Sequence, residues 1–454
     1  MKQESILLTA AENVAFKRNV STDFTTPEDN ANAQANDHEE RHDVDPFEVP
    51  DGGARAWLCV FGVCTILCFS RAILLYHHDS QFGVFEDFYS ANQLSAQSLN
   101  NISWIGSLQL CLILLVGCVS GPLCDAGYFK HLIGTGGLLF FFCLMMTSIS
   151  TEYYQYLLSQ GVGVGLAQGL LFTPGMAVLA HHFKHYRTLV FGIFAAGASI
   201  GGVILPIALQ RLFDEVGFVW GVRILAFIVI ACVGTGFVCC TTRFPPRKGG
   251  RCNTVTRAFS SVRTPEYTLL VLGAGFVGLG LYAPLNFGVV YATNHGMSQR
   301  LAFYSLAILN AGSLVGRTLP NAIATVFGPL NLLIMACTLS AVSLYVWFEA
   351  RDNAGILVFE ALYGIVSGAY VSCLPAATAS LAKNANETGL RLGMMFFSTS
   401  FFWLVSSPIQ GALIGTDGSY LTVCMFSGST VVLGVCFMLF SRFLVRREKA
   451  TWNV

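Results

Sequence analysis

Charge is what this chain of 454 residues has least of. Only 11% of its residues are Asp, Glu, Lys or Arg, and 26 basic side chains balance 26 acidic ones. Without a basic excess there is no electrostatic footprint for a nucleic-acid backbone, so that class of partner is excluded. Histidines number nine, and only His181, His182 and His185 cluster. The 15 cysteines, among them Cys59, Cys64, Cys143 and Cys239, are scattered through apolar stretches rather than spaced as a framework. They read as small apolar packing residues, with palmitoylation of Cys239 or Cys240 beside a basic loop as the minor alternative. No nucleophile–base constellation and no phosphate loop stands out, so an enzyme reading lacks its chemistry, and no cofactor or metal is expected. A cleavable signal peptide is also missing, which leaves the first apolar stretch as the targeting signal.

What is present is apolar length. Hydrophobic residues make up 54% of the chain, more than a soluble protein of this size can hide. A bilayer accommodates such a chain if each stretch of about 20 residues crosses it as a helix whose backbone bonds internally. Twelve stretches qualify: about 56–76, 102–123, 131–150, 155–180, 187–209 and 219–241, then 266–292, 301–324, 328–348, 354–381, 389–413 and 420–442. The expected fold is an all-α membrane protein with a 6+6 pseudo-symmetric arrangement. Its parts are a tail (1–50), an N-terminal half (51–242), a basic linker (243–264), a C-terminal half (265–443) and a short tail (444–454). The first tail carries eleven acidic residues against Lys2, Lys17, Arg18 and Arg41, a composition expected to stay disordered.

An even number of spans puts both tails on one side. Lys130, Lys184, Arg187, Arg317, Lys383 and Arg391, the linker arginines and Arg442, Arg446 and Arg447 all fall on that side. The other side holds only Arg211, Arg300 and Arg351. The positive-inside rule therefore predicts cytoplasmic tails and a cytoplasmic linker, most simply in the plasma membrane.

The halves echo each other. Pro174 and Pro375 stand 201 residues apart (375 − 174), as do Gly192 and Gly393 (393 − 192), while Pro206 and Pro408 stand 202 apart (408 − 206). Parallel six-helix repeats of this kind are the architecture of major facilitator carriers.

Two stretches carry a more specific resemblance. Asp51-Gly52-Gly53-Ala54-Arg55-Ala56-Trp57, just before span one, resembles the opening motif of the monocarboxylate porter family. So does Phe183 to Gly202, at the loop into span five, with Arg187, Gly192 and Gly197 inside it. Trp104 to Gln109 and Gly121-Pro122-Leu123-Cys124-Asp125 look like the fungal branch of that family. The resemblance covers about residues 50–443 and implies a major facilitator fold, alternating access and proton-linked movement of small carboxylates. It makes Asp51, Gly52, Gly53, Trp57, Asp125, Arg187, Gly192 and Gly197 the conformational motif. The sequence departs from the animal lactate carriers at two points. Their span-one Lys has no counterpart near Ser80, and their span-eight Asp–Arg pair reads Ser313 and Arg317 here. A separate oddity is the polar run of Arg71, His77, His78 and Asp79, either an extended external loop or retained intronic sequence.

Charges inside spans are the sharpest pointers to function, since each costs about 2.5–3.5 kcal/mol at mid-helix. Glu360, two turns into span ten, is the candidate for proton coupling; the alternative is an interfacial carboxylate facing water. Arg317 either holds an anionic cargo or gates the cytoplasmic end, with Asn310 two turns earlier on its face. Arg223 beside Trp220 reads as a structural residue that snorkels outward. Tyr282, Asn286, Tyr363, Ser367 and Tyr370 complete the candidate binding set, the last three on one face of span ten. Pro284 and Pro375 break their helices, which is tolerated where a cavity or neighbour satisfies the freed carbonyls.

Two motifs have bland readings that outweigh sharp ones. Gly273-Ala274-Gly275-Phe276-Val277-Gly278 fits a dinucleotide fingerprint letter for letter, but it sits inside an apolar span, where small residues serve close helix contact. The three clustered histidines resemble one box of a membrane di-iron oxygenase, yet read as a solvated loop.

Function is then expected to be secondary transport of a small organic acid or secondary metabolite, most simply export of a natural product. Protons are the expected coupling partner and the lipid bilayer the expected surroundings; the sequence assigns no protein partner. The alternatives are proton-linked uptake of a monocarboxylate or vitamin-like solute, and a nutrient sensor that does not transport.

Overall fold

The computed structural model describes residues 52–72, 99–183, 186–242, 264–382, 387–414 and 420–449, with Tyr89, Leu94 and Gln97 between the first two stretches. The tail 1–50, Asp51, the run from His77 to Ser80, Lys184, His185, Lys383 and most of the linker lie outside the described residues.

Twelve long helices account for nearly all of the described chain. We number them α1 (Ala54–Ala72), α2 (Leu99–Leu115 continuing as Gly117–Asp125), α3 (Phe129–Ile149) and α4 (Tyr153–Ala180). Next come α5 (187–216) and α6 (218–239), the two arms of one stretch Arg187–Cys239 divided at Gly217, then α7 (Pro265–Asn294), α8 (Gln299–Ala322) and α9 (Pro329–Glu349). The last three are α10 (Asn353–Ser380), α11 (Thr388–Leu413) and α12 (Leu421–Lys449). Ten of them are long and apolar enough to cross a membrane. Of the other two, α8 falls short because it carries Asn310, Ser313, Arg317 and Asn321 on surfaces that are buried against protein.

Local breaks shape several helices. The sequence separates span five from span six, whereas the structure runs them as one helical stretch, Arg187–Cys239, broken at Gly217. Gly217 takes φ +77°, a left-handed backbone open to glycine because it has no Cβ. In α4, residues Leu157–Val164 form a π-helix, whose wider turn lets Gly163 lie against Cys143 Sγ. In α7 the helix is interrupted at Tyr282, and Pro284 in the next turn brings no N–H. The carbonyls freed there are taken by neighbours. Leu279 O accepts from Ser406 Oγ at 2.9 Å and Gln410 Nε2 at 2.6 Å, and Leu281 O accepts from Tyr363 Oη.

Packing inside each half relies on glycine. Where α1 crosses α6, a Cβ on Gly236 would lie 2.9 Å from Gly62 O. At the equivalent α7–α12 crossing, a Cβ on Gly273 would lie 2.8 Å from Gly434 O. Between α8 and α10 two small-xxx-small pairs interlock. A Cβ on Gly316 would sit 1.9 Å from Ile365 O, and one on Gly364 2.1 Å from Leu309 O. Backbones this close gain dispersion contacts in a bilayer, where no hydrophobic force drives helices together. The dinucleotide-like glycines thus serve helix contact in α7, as their apolar setting implied. The outer surfaces are rich in exposed apolar side chains, such as Leu138 at 66% and Phe443 at 64% exposure, facing where lipid belongs.

Candidate functional site

The halves meet along two seams, α2 with α11 and α5 with α8. Both seams close most tightly at one end of the molecule, the end that carries Lys130, Arg187 and Arg391 and from which the described chain starts and stops. We call it the basic end. In the first seam a Cβ on Gly121 would lie 2.1 Å from Gly389 O, and one on Gly393 2.1 Å from Gly117 O. Asp125 seals it, since its carboxylate accepts from Gly389 N at 3.1 Å and Leu390 N at 2.7 Å. An anion on the first amides of α11 also meets the positive end of the helix dipole.

The second seam is the pseudo-symmetric counterpart. Gly192 stands in α5 where Gly393 stands in α11, and a Cβ there would lie 2.3 Å from Arg317 O. Arg317 Nη1 donates to Ala195 O at 2.7 Å, from one half to the other. Asn321 Nδ2 donates to Arg317 O and to Ser372 Oγ, binding this contact to α10. Arg187 donates to Ala379 O at 3.1 Å, a cation on the last turn of α10 where the dipole is negative. The 201-residue offset read from the sequence is therefore a geometric equivalence of the two seams.

Bordering Arg317 of the second seam is a cavity of about 30 Å³, room for roughly one water. Leu67, Phe172, Phe194, Phe396, Thr399 and Trp403 line it with Arg317 and Tyr370, and Arg317 is the one charged lining residue among those described. Phe172 of α4 and Phe396 of α11 meet across it, ring centroids 5.1 Å apart.

The sequence-derived set divides when placed in space. Arg317 and Tyr370 line the cavity, and Tyr370 Oη also donates to Ala274 O of α7. Tyr363 braces the α7 break, and Ser367 donates to Tyr363 O, so this tyrosine face packs on a helix instead of forming a free wall. Tyr282 rests on Trp403 at 4.7 Å, and Asn310 turns its amide back to Leu306 O. Asn286 is buried, and neither of its amide atoms has a hydrogen-bond partner among the described residues.

Glu360 is 2% exposed, so it is not an interfacial carboxylate facing water. Its Oε1 occupies the space a side chain at Gly288 would need, 2.4 Å from that Cβ position, and Oε2 has no partner among the described residues. Desolvation makes such a carboxyl costly to keep charged.

Other expectations need correction or support. Arg391 is buried in the first turn of α11, with its guanidinium over Tyr267 at 5.5 Å. His181 and His182 are buried, not solvated, because the chain after α4 folds back beneath α6, where His182 Nε2 pairs with Thr241 O at 2.8 Å. Burial, then the neighbouring His182 and Arg187 charges, push His181 down to about 4. Arg223 donates to Ser148 Oγ and lies over Trp220, the structural role expected of it. In the opening motif Gly52 and Gly53 take φ +146° and +105°, Trp57 meets Phe183 edge-on, and Gly197 packs on Cys64 O within one half.

Sequence reasoning missed Phe172, Phe396, Thr399 and Trp403. Their signal was faint: Phe396, Thr399 and Trp403 are spaced i, i+3, i+7, one face of α11. It also missed Gln109, whose Nε2 donates to Gln168 Oε1 at 2.8 Å between α2 and α4.

Two six-helix halves closing on a central cleft define a multi-pass membrane transporter. Residues 58–348 match the Major Facilitator Superfamily, and the chain belongs to it. Similar proteins include an aspyridones efflux protein of Emericella nidulans, 36% identical over 86% of this chain and 78% of that one. An MFS-type transporter of Ophiocordyceps sp. is 38% identical over 88% and 87%, and an agnestins efflux protein of Paecilomyces divaricatus 37% over 80% and 83%. The fold is also that of FucP, the fucose:proton symporter of E. coli: one FucP structure superposes with TM-score 0.64 at 16% identity, covering 84% of this chain and 98% of FucP.

Proposed function

We propose that this protein exports a natural product, a small organic acid or secondary metabolite, by alternating access about the cavity beside Arg317. The observation that carries the reading is the pairing of a sealed two-seam gate with an aromatic cavity holding a single cation. The efflux proteins similar to it favour the export direction. In this reading residues 51–242 and 265–443 rock against each other, joined by the 243–264 linker. The basic end is cytoplasmic, so the tails lie inside the cell and the state seen is closed towards the cytoplasm, in the plasma membrane. Asp125, Arg187 and Gly192 act at the gate, and Glu360 carries the coupling proton, with no catalytic step.

We place the chain in the monocarboxylate-porter-like branch on the strength of the Gly52-Gly53…Trp57 and Arg187…Gly192…Gly197 motifs. Proton-linked uptake of a monocarboxylate is the second reading, favoured by the buried Glu360 carboxyl. A paired metabolite profile of deletion and restored strains separates the two. Export predicts a compound that accumulates in deletion cells and vanishes from their medium. A compound left in the medium and depleted inside would overturn export in favour of uptake.

A further inference from the structure

We propose that Trp403, seated in a notch that Gly278 leaves in α7, is the specificity-determining wall of the cavity and selects cargo with a flat conjugated ring. The inference rests on the reading of that cavity as the cargo site.

The seat is built by absence. A Cβ on residue 278 would lie 2.0 Å from the Trp403 Nε1 and 2.4 Å from its Cδ1, so the indole edge occupies space that any other residue would fill. Tyr282, one turn further along α7, contacts the indole ring at 4.7 Å and 59°. The neighbouring Phe402 is lodged the same way, 2.7 Å from the Cβ position of Gly275. Successive side chains of α11 are thus indexed by successive glycines of α7, which fixes the rotation of α11 about its own axis. Tyr282 is the residue at which α7 breaks, so the seat spans that break.

The same indole borders the cavity beside Arg317 and is only 8% exposed. Its Nε1 is the atom pressed into the Gly278 notch, without a hydrogen-bond partner among the described residues, so that edge is turned to α7 and what the indole offers cargo is its ring surface. A plate held on edge and face cannot remould itself around a puckered saturated ring, as Leu or Met could. Aromatic rings also prefer other rings in offset or edge-on geometry. With only about 30 Å³ free beside it, cargo enters as the halves part, and a flat ring demands less parting than a globular group.

The test uses the full-length protein in lipid nanodiscs with two anionic probes of similar size, 2-naphthoate and decalin-2-carboxylate, and reads binding by isothermal calorimetry. The wild type is expected to bind 2-naphthoate at least ten times more tightly. Gly278→Ala, which crowds the indole, should cut that preference at least five-fold, and Trp403→Leu, which needs no change in α7, should do the same. Equal binding of both probes to the wild type, or a preference that survives Trp403→Leu, overturns the inference. Arg317→Gln separates it from the reading beneath it. If Arg317→Gln weakens both probes while Trp403→Leu leaves the preference intact, the cavity is the cargo site and Trp403 is not its selector. If the wild type binds neither probe, or Arg317→Gln changes neither, the cavity reading itself fails and the inference falls with it.

Discussion

Arg317 touches the α5–α8 seam and the cavity together. It borders the central void and also reaches Ala195 O across the halves. A hydrogen bond from a charged donor contributes about 1.5–3 kcal/mol, so Arg317→Gln should abolish export of an anionic cargo and loosen the gate while the protein still reaches the membrane. Efflux assays alongside surface quantification check this; normal efflux from a normally expressed variant would remove Arg317 from the site. Glu360→Gln keeps the shape and removes the proton. Transport into vesicles should lose its dependence on a pH gradient, with thermal stability unchanged or raised because no buried charge is left to desolvate. His181 makes a third prediction. Its folded value is depressed from about 6.5 to about 4, so between those pH values the unfolded chain binds more protons. Stability is therefore full above about pH 6.5 and falls towards pH 4, by on the order of 2–3 kcal/mol. Melting curves from pH 7 to pH 4.5 should show the loss, and His181→Gln should flatten it. Arg317 and Glu360 stood out as candidates because an intramembrane charge is costly enough to need a reason. The histidine pair was misread because its burial is tertiary: His182 meets Thr241 O, fifty-nine positions away in the chain.

At the scale of helices, the tyrosine row of α10 is the instructive case. Spacing correctly put Tyr363, Ser367 and Tyr370 on one face, but spacing does not say what a face meets. Tyr363 and Tyr370 bond to carbonyls of α7, and Tyr363 does so at the break. Tyr363→Phe leaves Leu281 O with one partner fewer inside the protein and should cost about 1–3 kcal/mol, seen as a lower Tm with the cavity lining unchanged. The α8–α10 interlock is harsher. A side chain on Gly316 has 1.9 Å to Ile365 O, and because backbone cannot swing aside as a side chain can, Gly316→Val should separate the helices and remove folded protein from the membrane fraction. The small-xxx-small spacing at Gly312/Gly316 and Gly364/Gly368 stood in the sequence. Its partner did not, because two such stripes identify each other only when packed.

For the whole molecule the proposed gate is what a test should reach. Gly121→Val should wedge the α2–α11 seam open, since its Cβ meets Gly389 O at 2.1 Å. A cysteine placed at Thr399, in the cavity lining, should then react faster with a thiol reagent applied from the basic end than the same cysteine behind an intact gate. Equal rates would mean that this seam does not control access.

Apolar length and the placement of Lys and Arg marked out twelve stretches, their grouping and the side on which positive charge collects, because each span must satisfy its own backbone within the bilayer and each charge must avoid its centre. The repeat offset of 201 residues was also in the sequence, since each half must fold the same way. Only the tertiary structure decided which end is shut, that Gly192 and Gly393 are matching points of two seams, and that Trp403 borders the cavity instead of facing lipid. These facts belong to contacts between helices far apart in the chain. Between two apolar helices in a bilayer, shape at the level of a single missing Cβ chooses the partner, and hydropathy carries no record of it.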